Sequence, residues 1–209
     1  VEFVYINVVS SLETLSAQDS DGDLIPDSVE GYKDSDGDGI PDYLDRYSEC
    51  NVLLEELAVQ DGFIVEGDPG VCLRLGDKSF NSETGGSHIT DEDITTNKVS
   101  LVTDIEAINI GGIFDFIAYD LPDNAQSIAV ALPQRNPIPQ DAVFRKYRPG
   151  SGWGMFIEDS QNQIFSTQGE PGYCPPPRSS LWTSGLTEGD WCVQLVIQDG
   201  GPNDNDGLV

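Results

Sequence analysis

Positive charge is scarce in this chain. Ten lysines and arginines stand against 37 aspartates and glutamates, which gives a formal net charge of −27 at pH 7. A surface this negative repels phosphate backbones and anionic lipid heads, and it attracts cations. We therefore predict no nucleic-acid partner and expect bound cations. The alternative is a generally acidic surface that serves only solubility or salt tolerance.

Long apolar runs are missing as well. The sequence contains no stretch of 18 apolar residues, so it predicts no membrane-spanning helix and no direct membrane insertion. It has no secretion signal and opens on VEFVYINVVS, which is typical of the middle of a strand. We expect a piece of a longer precursor, cut at both ends.

Histidine is nearly absent, which bears on catalysis. The single one, His88, stands in a Gly/Ser/Thr-rich stretch, where a solvated side chain is the ordinary outcome. No spacing singles out a nucleophile with its base, or a pair of glycosidase carboxylates, among the serines and the 37 acids. We predict no catalytic residues, no organic cofactor and no enzyme activity.

Cysteine is sparse and lacks the CxxC spacing of zinc sites. The four cysteines are Cys50, Cys72, Cys174 and Cys192. An even number suggests two disulfides and an oxidising compartment, with reduced buried thiols as the alternative. Three pairings are open. We favour Cys50–Cys72 and Cys174–Cys192, because each closes a loop of roughly 20 residues, worth about 3 kcal/mol.

The acids that dominate the composition are concentrated in DSDGDLIPDSVEGYKDSDGDGIPDYLD, residues 19–45. The segment repeats itself after 15 residues, and its carboxylates occupy positions 1, 3, 5, 9 and 12 of each repeat. The first set is Asp19, Asp21, Asp23, Asp27 and Glu30, and the second is Asp34, Asp36, Asp38, Asp42 and Asp45. A disordered acidic linker, the alternative, would not repeat its spacing.

This spacing predicts calcium binding. Alternate carboxylates in a tight loop converge on one point, and Ile25 and Ile40 at position 7 would add backbone carbonyls. Six or seven oxygens at about 2.4 Å suit Ca²⁺, and the EF-hand loop has the same spacing. Position 6 is Leu24 or Gly39, proline follows at position 8, and the repeats leave no room for flanking helices. The segment is therefore not an EF-hand pair.

Residues 19–45 resemble the thrombospondin type 3 repeat, DxDGDGIPDxxD, in which the chain wraps calcium ions with little regular structure. The resemblance implies that the ten acids are the ligands. Without calcium their mutual repulsion should leave the segment extended and mobile, and calcium should make it rigid. The C-terminal GGPNDNDGLV, with Asp204 and Asp206, looks like half of a further calcium loop, and a polar turn is its equal rival.

The remainder predicts an all-β fold, an antiparallel sandwich of the jelly-roll or immunoglobulin-like type. Short apolar runs alternate with turn residues, and IFDFIAY and AVFRKYR have the period-two alternation of half-buried strands. We predict strands over 52–59, 62–65, 71–75, 99–104, 113–119, 127–132, 142–147, 154–158, 163–166 and 191–198. The long polar loop 76–97 suggests function or disorder, and its acids Asp91, Glu92 and Asp93 should form a solvated surface. The proline-rich loop 168–180 should cross the outside of the fold.

Three units follow from these patterns. They are an N-terminal strand and linker over 1–18, the calcium repeats over 19–46, and the β-sandwich over 47–209. The stretches LPDNAQSIAVALPQ, AVFRKYRPGSGWGMFIED, PGYCPPP and SGLTEGDWCVQLVIQDGGPNDNDGL, within 105–209, are similar to the choice-of-anchor U domain. That resemblance implies a secreted or surface-displayed bacterial protein without known catalytic residues.

The expected function is non-enzymatic. We interpret the chain as a calcium-binding structural or adhesive module, extracellular or at the bacterial cell surface. Its apolar first strand would pair within its own chain, with a neighbouring domain of the precursor, or with another copy by strand addition, as in a fibre or matrix subunit. The alternative is a calcium-dependent carbohydrate-binding module for surface polysaccharide. Trp153 and Trp182, at turns, are then the candidates for exposed stacking platforms, while Trp191 should lie in the core. The competing interpretation is that these aromatic residues fill the open ends of the sandwich.

Overall fold

A computed structural model describes residues 9–57, 63–122 and 127–205. Within these ranges the chain forms twelve β-strands, and the helices are few and short. All strand pairs are antiparallel, so the prediction of an all-β fold is confirmed. Neither α-helix of the described part approaches the length and hydrophobicity of a membrane span. The predicted first strand lies almost entirely outside the described residues.

The strands, in chain order, are β1 (Val52–Leu54), β2 (Ile64–Gly67), β3 (Cys72–Leu75), β4 (His88–Ile89), β5 (Ile113–Phe114), β6 (Phe116–Tyr119), β7 (Ser127–Pro133), β8 (Arg145–Arg148), β9 (Gly152–Met155), β10 (Gln163–Thr167), β11 (Thr183–Ser184) and β12 (Cys192–Gln198). The α-helices are α1 (Asp27–Glu30) and α2 (Asp91–Thr95). Single 3-10 turns cover Asp42–Leu44 and Ser79–Asn81.

One six-stranded sheet organises the fold, in the order β1-β2-β7-β12-β10-β11. Its centre is the pairing of β7 with β12, which runs in unbroken register from Cys192 opposite Pro133 to Gln198 opposite Ser127. Three two-stranded ladders accompany it: β3 with β6, β4 with β5, and β8 with β9. Their arrangement as a jelly-roll or immunoglobulin-like sandwich stays a prediction.

Both faces of the central strands are covered. Val130 and Val193, on one face, belong to the main hydrophobic core, which also contains Leu73 of β3. Their chain neighbours Ala131 and Cys192 face the other way, into a small cluster with Trp182. This is the period-two alternation that apolar strands buried on both faces require.

The proline-rich loop lies across the second face, as predicted. Disulfides join Cys174 to Cys192 and Cys50 to Cys72, which confirms the favoured pairing. The loop is also held by Arg178, whose amide donates to Gln194 Oε1 at 2.6 Å and whose side chain pairs with Asp68. Two disulfides are typical of a protein that matures in an oxidising compartment.

Two predictions about other segments are wrong. Residues 99–104 form no strand. Their apolar members Val99 and Leu101 instead fill a small separate core. The acids of the long polar loop are not all solvated, because Asp93 is fully buried at the start of α2. There it forms a capping box with Thr90 and accepts a hydrogen bond from the Glu83 amide, and this pairing orders the loop.

Candidate metal centre

Each acidic repeat folds into a tight loop around its own first aspartate. Asp19 accepts the amides of Gly22 and Leu24 at 2.7 and 3.2 Å, one on each carboxylate oxygen. Asp34 accepts the amides of Gly37 and Gly39 in the same way, at 2.8 and 3.1 Å. The hydrogen bonds recur at an offset of 15 residues, so the sequence repeat is also a structural repeat.

The aspartates at positions 3 and 5 each use one oxygen to shape the backbone. In the first loop Asp21 Oδ1 accepts the amide of Asp23 at 3.1 Å, and Asp23 Oδ1 accepts that of Ile25 at 2.6 Å. In the second loop Asp36 and Asp38 accept the amides two residues further on, at 3.3 and 2.6 Å. These local bonds leave the second oxygen of each carboxylate for another partner.

Positions 4 and 6 have the left-handed backbone. The φ angles of Gly22 and Gly37 are both 81°, a conformation that glycine adopts without strain. At position 6 Gly39 has φ 98°, and Leu24 of the first loop has φ 80° despite its side chain. This backbone turn brings the amides of positions 4 and 6 back to the first aspartate. The two loops differ here only at position 6, which is Leu24 in the first loop and Gly39 in the second.

The loops gather carboxylate oxygens that have no partner. Ligand atoms of Asp19, Asp21 and Asp23 lie within 4.8 Å of one another, and so do those of the second triad, Asp34, Asp36 and Asp38. Asp38 is only 1% exposed and Asp21 6%. The buried oxygens without a hydrogen-bond donor are Asp21 Oδ2, Glu30 Oε2, Asp36 Oδ2 and Asp38 Oδ2. Burying a carboxylate oxygen without a partner costs free energy, so these two groups of oxygens fit a bound cation.

The electrostatics of the second loop also favour a bound cation. Burial, followed by repulsion from Asp45 and Asp36, raises the pKa of Asp38 to about 8, although the Ile40 amide opposes the shift. Burial also raises the pKa of Asp45 to about 7, with Asp36 and Asp21 adding to it. In the absence of a metal these acids therefore hold protons more readily than exposed carboxylates do, and a bound cation would compete with the proton.

The acids at position 12 interact electrostatically with the triads, and their role as metal ligands stays a prediction. Burial raises the pKa of Glu30 to about 7, and Asp21 and Asp23 of the first triad add to the shift. Burial also raises the pKa of Asp45, and Asp36 of the second triad adds to it. The two residues at position 7, whose backbone carbonyls are predicted metal ligands, differ in burial. Ile40 is 1% exposed, whereas Ile25 is 43% exposed.

The acids at position 9 are already engaged. Asp27 accepts both the amide and the hydroxyl of Ser20, at 2.8 and 2.9 Å. Asp42 accepts the same two groups of Ser35, each at 2.7 Å. Both acids thus brace the start of their loop, and their role as metal ligands stays a prediction. Sequence reasoning missed the serines, although both stand at position 2 of DSDGD.

The second loop is part of the β-rich fold. Ile40 belongs to the main hydrophobic core, and the Leu75 amide of β3 donates to the Asp38 carbonyl at 2.9 Å. The Tyr119 hydroxyl of β6 donates to the carbonyls of Asp36 and Gly37, at 3.2 and 3.3 Å. The loop therefore has direct contacts with two strands.

The predicted C-terminal half-loop forms a closed turn up to residue 205. Asp204 Oδ2 accepts the Gly200 amide at 3.0 Å, and the neighbouring Asn203 is buried and bonded to Ile157 and Asn162. Asp206 lies outside the described residues. Among those described, only the two aspartate triads bring three such ligand atoms together. Calcium binding here stays a prediction.

The tryptophans proposed as sugar platforms are packed against the protein. Trp182 is 9% exposed and its indole donates to the Pro176 carbonyl at 3.0 Å, so its predicted exposure is wrong. The half-buried Trp153 donates to the Val102 carbonyl at 2.7 Å and packs edge-on against Tyr147. Trp191, predicted in the core, is half-buried. Turn residues around Trp182 suggested a surface position, but the loop folds back and covers it.

His88 is also less exposed than its sequence neighbours suggested. It lies on β4, its side chain is 12% exposed, and its Nδ1 lies 2.9 Å from a Glu56 carboxylate oxygen. Burial lowers the pKa of the imidazole, and Glu56 partly offsets the shift. Arg135 approaches the same glutamate at 3.2 Å. The prediction of a solvated histidine is wrong, and the absence of a catalytic role stays a prediction.

Comparison with known proteins gives no relative: no family model, curated protein sequence or solved structure matches this chain. The resemblances to thrombospondin type 3 repeats and to the choice-of-anchor U domain therefore stay predictions. The geometry of residues 19–45 is the basis for the function proposed below.

Proposed function

We propose that residues 19–45 bind two calcium ions, one in each loop, and that the chain is a calcium-dependent structural or adhesive module. The observation that supports this most directly is the pair of repeated loops, each of which contains two buried carboxylate oxygens without a hydrogen-bond donor. Acidic clusters on an ordinary surface would keep those oxygens in water.

Calcium fits these donors better than the alternatives. The groups are carboxylates with a backbone carbonyl at position 7, all hard oxygen ligands, and neither triad contains a cysteine or histidine for a softer metal. Mg²⁺ requires a near-octahedral shell and keeps several waters, so a loop that converges three aspartates and a further acid favours the larger ion.

The structural role follows from where the loops stand. The second loop contacts β3 and β6, and the first loop lies between it and residue 9, where the described part of the chain begins. Calcium would hold whatever precedes the loops at a fixed orientation to the β-rich part. Such a rigid connection suits a stalk, an adhesin, or a fibre in which residues 1–10 add as a strand to another copy. We place the protein outside the cell, at a bacterial surface.

Calorimetric titration of the intact chain with Ca²⁺ tests the binding. Asp21→Asn combined with Asp36→Asn removes one charge from each triad. Each substituted residue keeps an Oδ1 that can accept the backbone amide of Asp23 or Asp38. We expect two sites in the wild type and a loss of at least about tenfold in affinity in the double variant. Asp91→Asn, with Glu92→Asn, is the control, since both side chains are exposed outside the loops. Equal binding by both double variants would refute the site.

Sedimentation velocity with calcium and with chelator tests the role. A compact monomer in calcium that becomes extended in chelator supports an orienting connection within one chain. Large species that form in calcium and dissolve in chelator support strand addition between copies. An unchanged sedimentation coefficient in a protein that binds calcium would contradict the structural role and leave the binding intact.

A further inference from the structure

One arginine joins the two loops. Arg46 directs two nitrogens of its guanidinium at the backbone carbonyl of Asp21, with Nε at 3.1 Å and Nη2 at 2.7 Å. The two residues are 25 positions apart in the chain. The contact is half-buried, and two donors on one carbonyl define its direction more strictly than one would.

Both ends of this contact belong to metal loops. Arg46 directly follows Asp45, the acid at position 12 of the second loop, and Asp45 Oδ1 accepts the Tyr47 amide at 3.1 Å. This hydrogen bond joins the residues on either side of Arg46, so it constrains the backbone conformation of Arg46. At the other end, Asp21 is position 3 of the first loop and holds one of the buried oxygens without a donor.

The connection is asymmetric. The residue of the first loop that corresponds to Arg46 is Gly31, which has no side chain to reach the second loop. The second loop is held independently by Leu75 and Tyr119, whereas the first exposes Leu24 to 89%. An ordered second loop can therefore position the first through Arg46, in addition to the edge-on packing of Tyr32 against Tyr43. The first loop has no residue at the corresponding position that could return the arginine contact.

We propose that Arg46 is a positioning residue that couples the two calcium sites, so that filling the second loop strengthens binding in the first. This rests on the proposed function. Calcium at the second loop fixes Asp45, and with it Arg46 and the Asp21 backbone, so the first loop loses less freedom when its own ion binds. Repulsion between the two ions, and between the guanidinium and the ion in the first loop, opposes this coupling. Solvent and salt screen that repulsion, whereas the ordering of Arg46 and the Asp21 backbone is local and is not screened.

The test follows each loop separately in the intact chain. Gly22 and Gly37 each donate to the first aspartate of their loop, so their amide resonances report the two sites during a calcium titration by NMR. Asp36→Asn weakens the second loop. We expect it to lower the affinity of the first loop about tenfold, within the usual range of coupling between sites.

Variants of Arg46 test whether this residue transmits the coupling between the two sites. Arg46→Met should give a first loop that is already weak and that responds less than about twofold to Asp36→Asn. Arg46→Lys, which keeps the charge but loses the planar fork, should retain part of the coupling. Lys33→Met is the matched control, because it removes the same charge from an exposed side chain between the loops and should leave the coupling intact.

The outcomes separate this proposal from the preceding one. If Asp36→Asn leaves the first loop unchanged in the wild type, the sites are independent and the coupling is refuted while calcium binding stands. Equal effects of Arg46→Met and Lys33→Met would refute the role of the arginine. If neither glycine amide responds to calcium, the proposed function itself fails, and the coupling fails with it.

Discussion

The two acidic loops are nearly identical in sequence and differ in their surroundings. DSDGDLIPD and DSDGDGIPD differ at one position, and their internal hydrogen bonds correspond one to one. Yet Ile40 is buried in the main core and Ile25 is 43% exposed. The same local chemistry thus produces one loop that is part of the fold and one that is attached to it.

This difference separates two roles for one kind of site. Under the proposed function, a metal in the second loop would stabilise the packing of Ile40 and the contacts to β3 and β6, and would act as a structural ion. A metal in the first loop would order the more exposed of the two loops. The residues at position 6 also make the first loop the less stable of the two. Leu24 must adopt a left-handed backbone conformation that Gly39 adopts without strain.

Removal of calcium should have the largest effect. A ligand held at 100 to 1,000 times its dissociation constant stabilises the folded state by about 3–4 kcal/mol. For a chain of this size that corresponds to roughly 10 °C in melting temperature. Scanning calorimetry in calcium and in chelator measures it, with magnesium as the ionic control. An unchanged melting temperature would mean that the second loop does not hold a structural ion.

The paired variants Ile40→Ala and Ile25→Ala test the comparison directly. Ile40 is fully buried in the main core, so its truncation should cost about 2–5 kcal/mol of unfolding free energy. The same change at the exposed Ile25 should cost less than about 0.5 kcal/mol. Urea unfolding in excess calcium measures both. Similar losses would show that the loops are equally integrated into the fold.

The stability of the calcium-free protein should fall with rising pH, and saturating calcium should abolish this dependence. Burial, with repulsion from Asp45, raises the pKa of Asp38 to about 8, well above the value of about 4 in an unfolded chain. Between these values the calcium-free folded protein holds more protons than the unfolded chain, so its unfolding free energy falls as the pH rises. A single unit of this shift corresponds to about 1.4 kcal/mol.

Urea unfolding in chelator between about pH 5 and about pH 8 measures this decline. In saturating calcium we expect this decline to disappear, because the bound metal keeps the carboxylates ionised in the folded protein, as they are in the unfolded chain above about pH 5. Asp38→Asn should flatten the calcium-free profile. If the calcium-free protein gains stability with rising pH, the pKa of Asp38 in the folded protein is not raised by burial, and this part of the argument for a cation site fails.

The smallest expected effect concerns position 6. Leu24→Gly relieves a left-handed leucine that costs about 1–2 kcal/mol, and should tighten calcium binding in the first loop about fivefold. Gly39→Leu, the reciprocal change, should weaken the second loop through backbone strain, since a Cβ there meets Leu75 only at ordinary contact distance. Calcium titration of both variants measures the pair. A gain from Gly39→Leu would refute the argument from strain.

The sequence by itself determined the two acidic loops and the all-β class, and it favoured the pairing of the cysteines that the structure shows. The loop bonds join residues two to five positions apart, so DSDGD and the following residues contain all the donors and acceptors needed. Strands and short disulfide loops are likewise set by neighbouring residues. Even the bracing of Asp27 by Ser20 was present in the repeat, although only its acids were recognised.

The tertiary structure alone decided which loop is buried, how Trp182 is covered, and that residues 99–104 form a small core instead of a strand. It also placed the Arg46 guanidinium on the Asp21 carbonyl. These outcomes depend on partners distant in the chain, such as Leu75 and Tyr119 against the second loop. Local patterns specify what a segment can form and bind, whereas packing between distant segments selects which of two equal segments becomes part of the core.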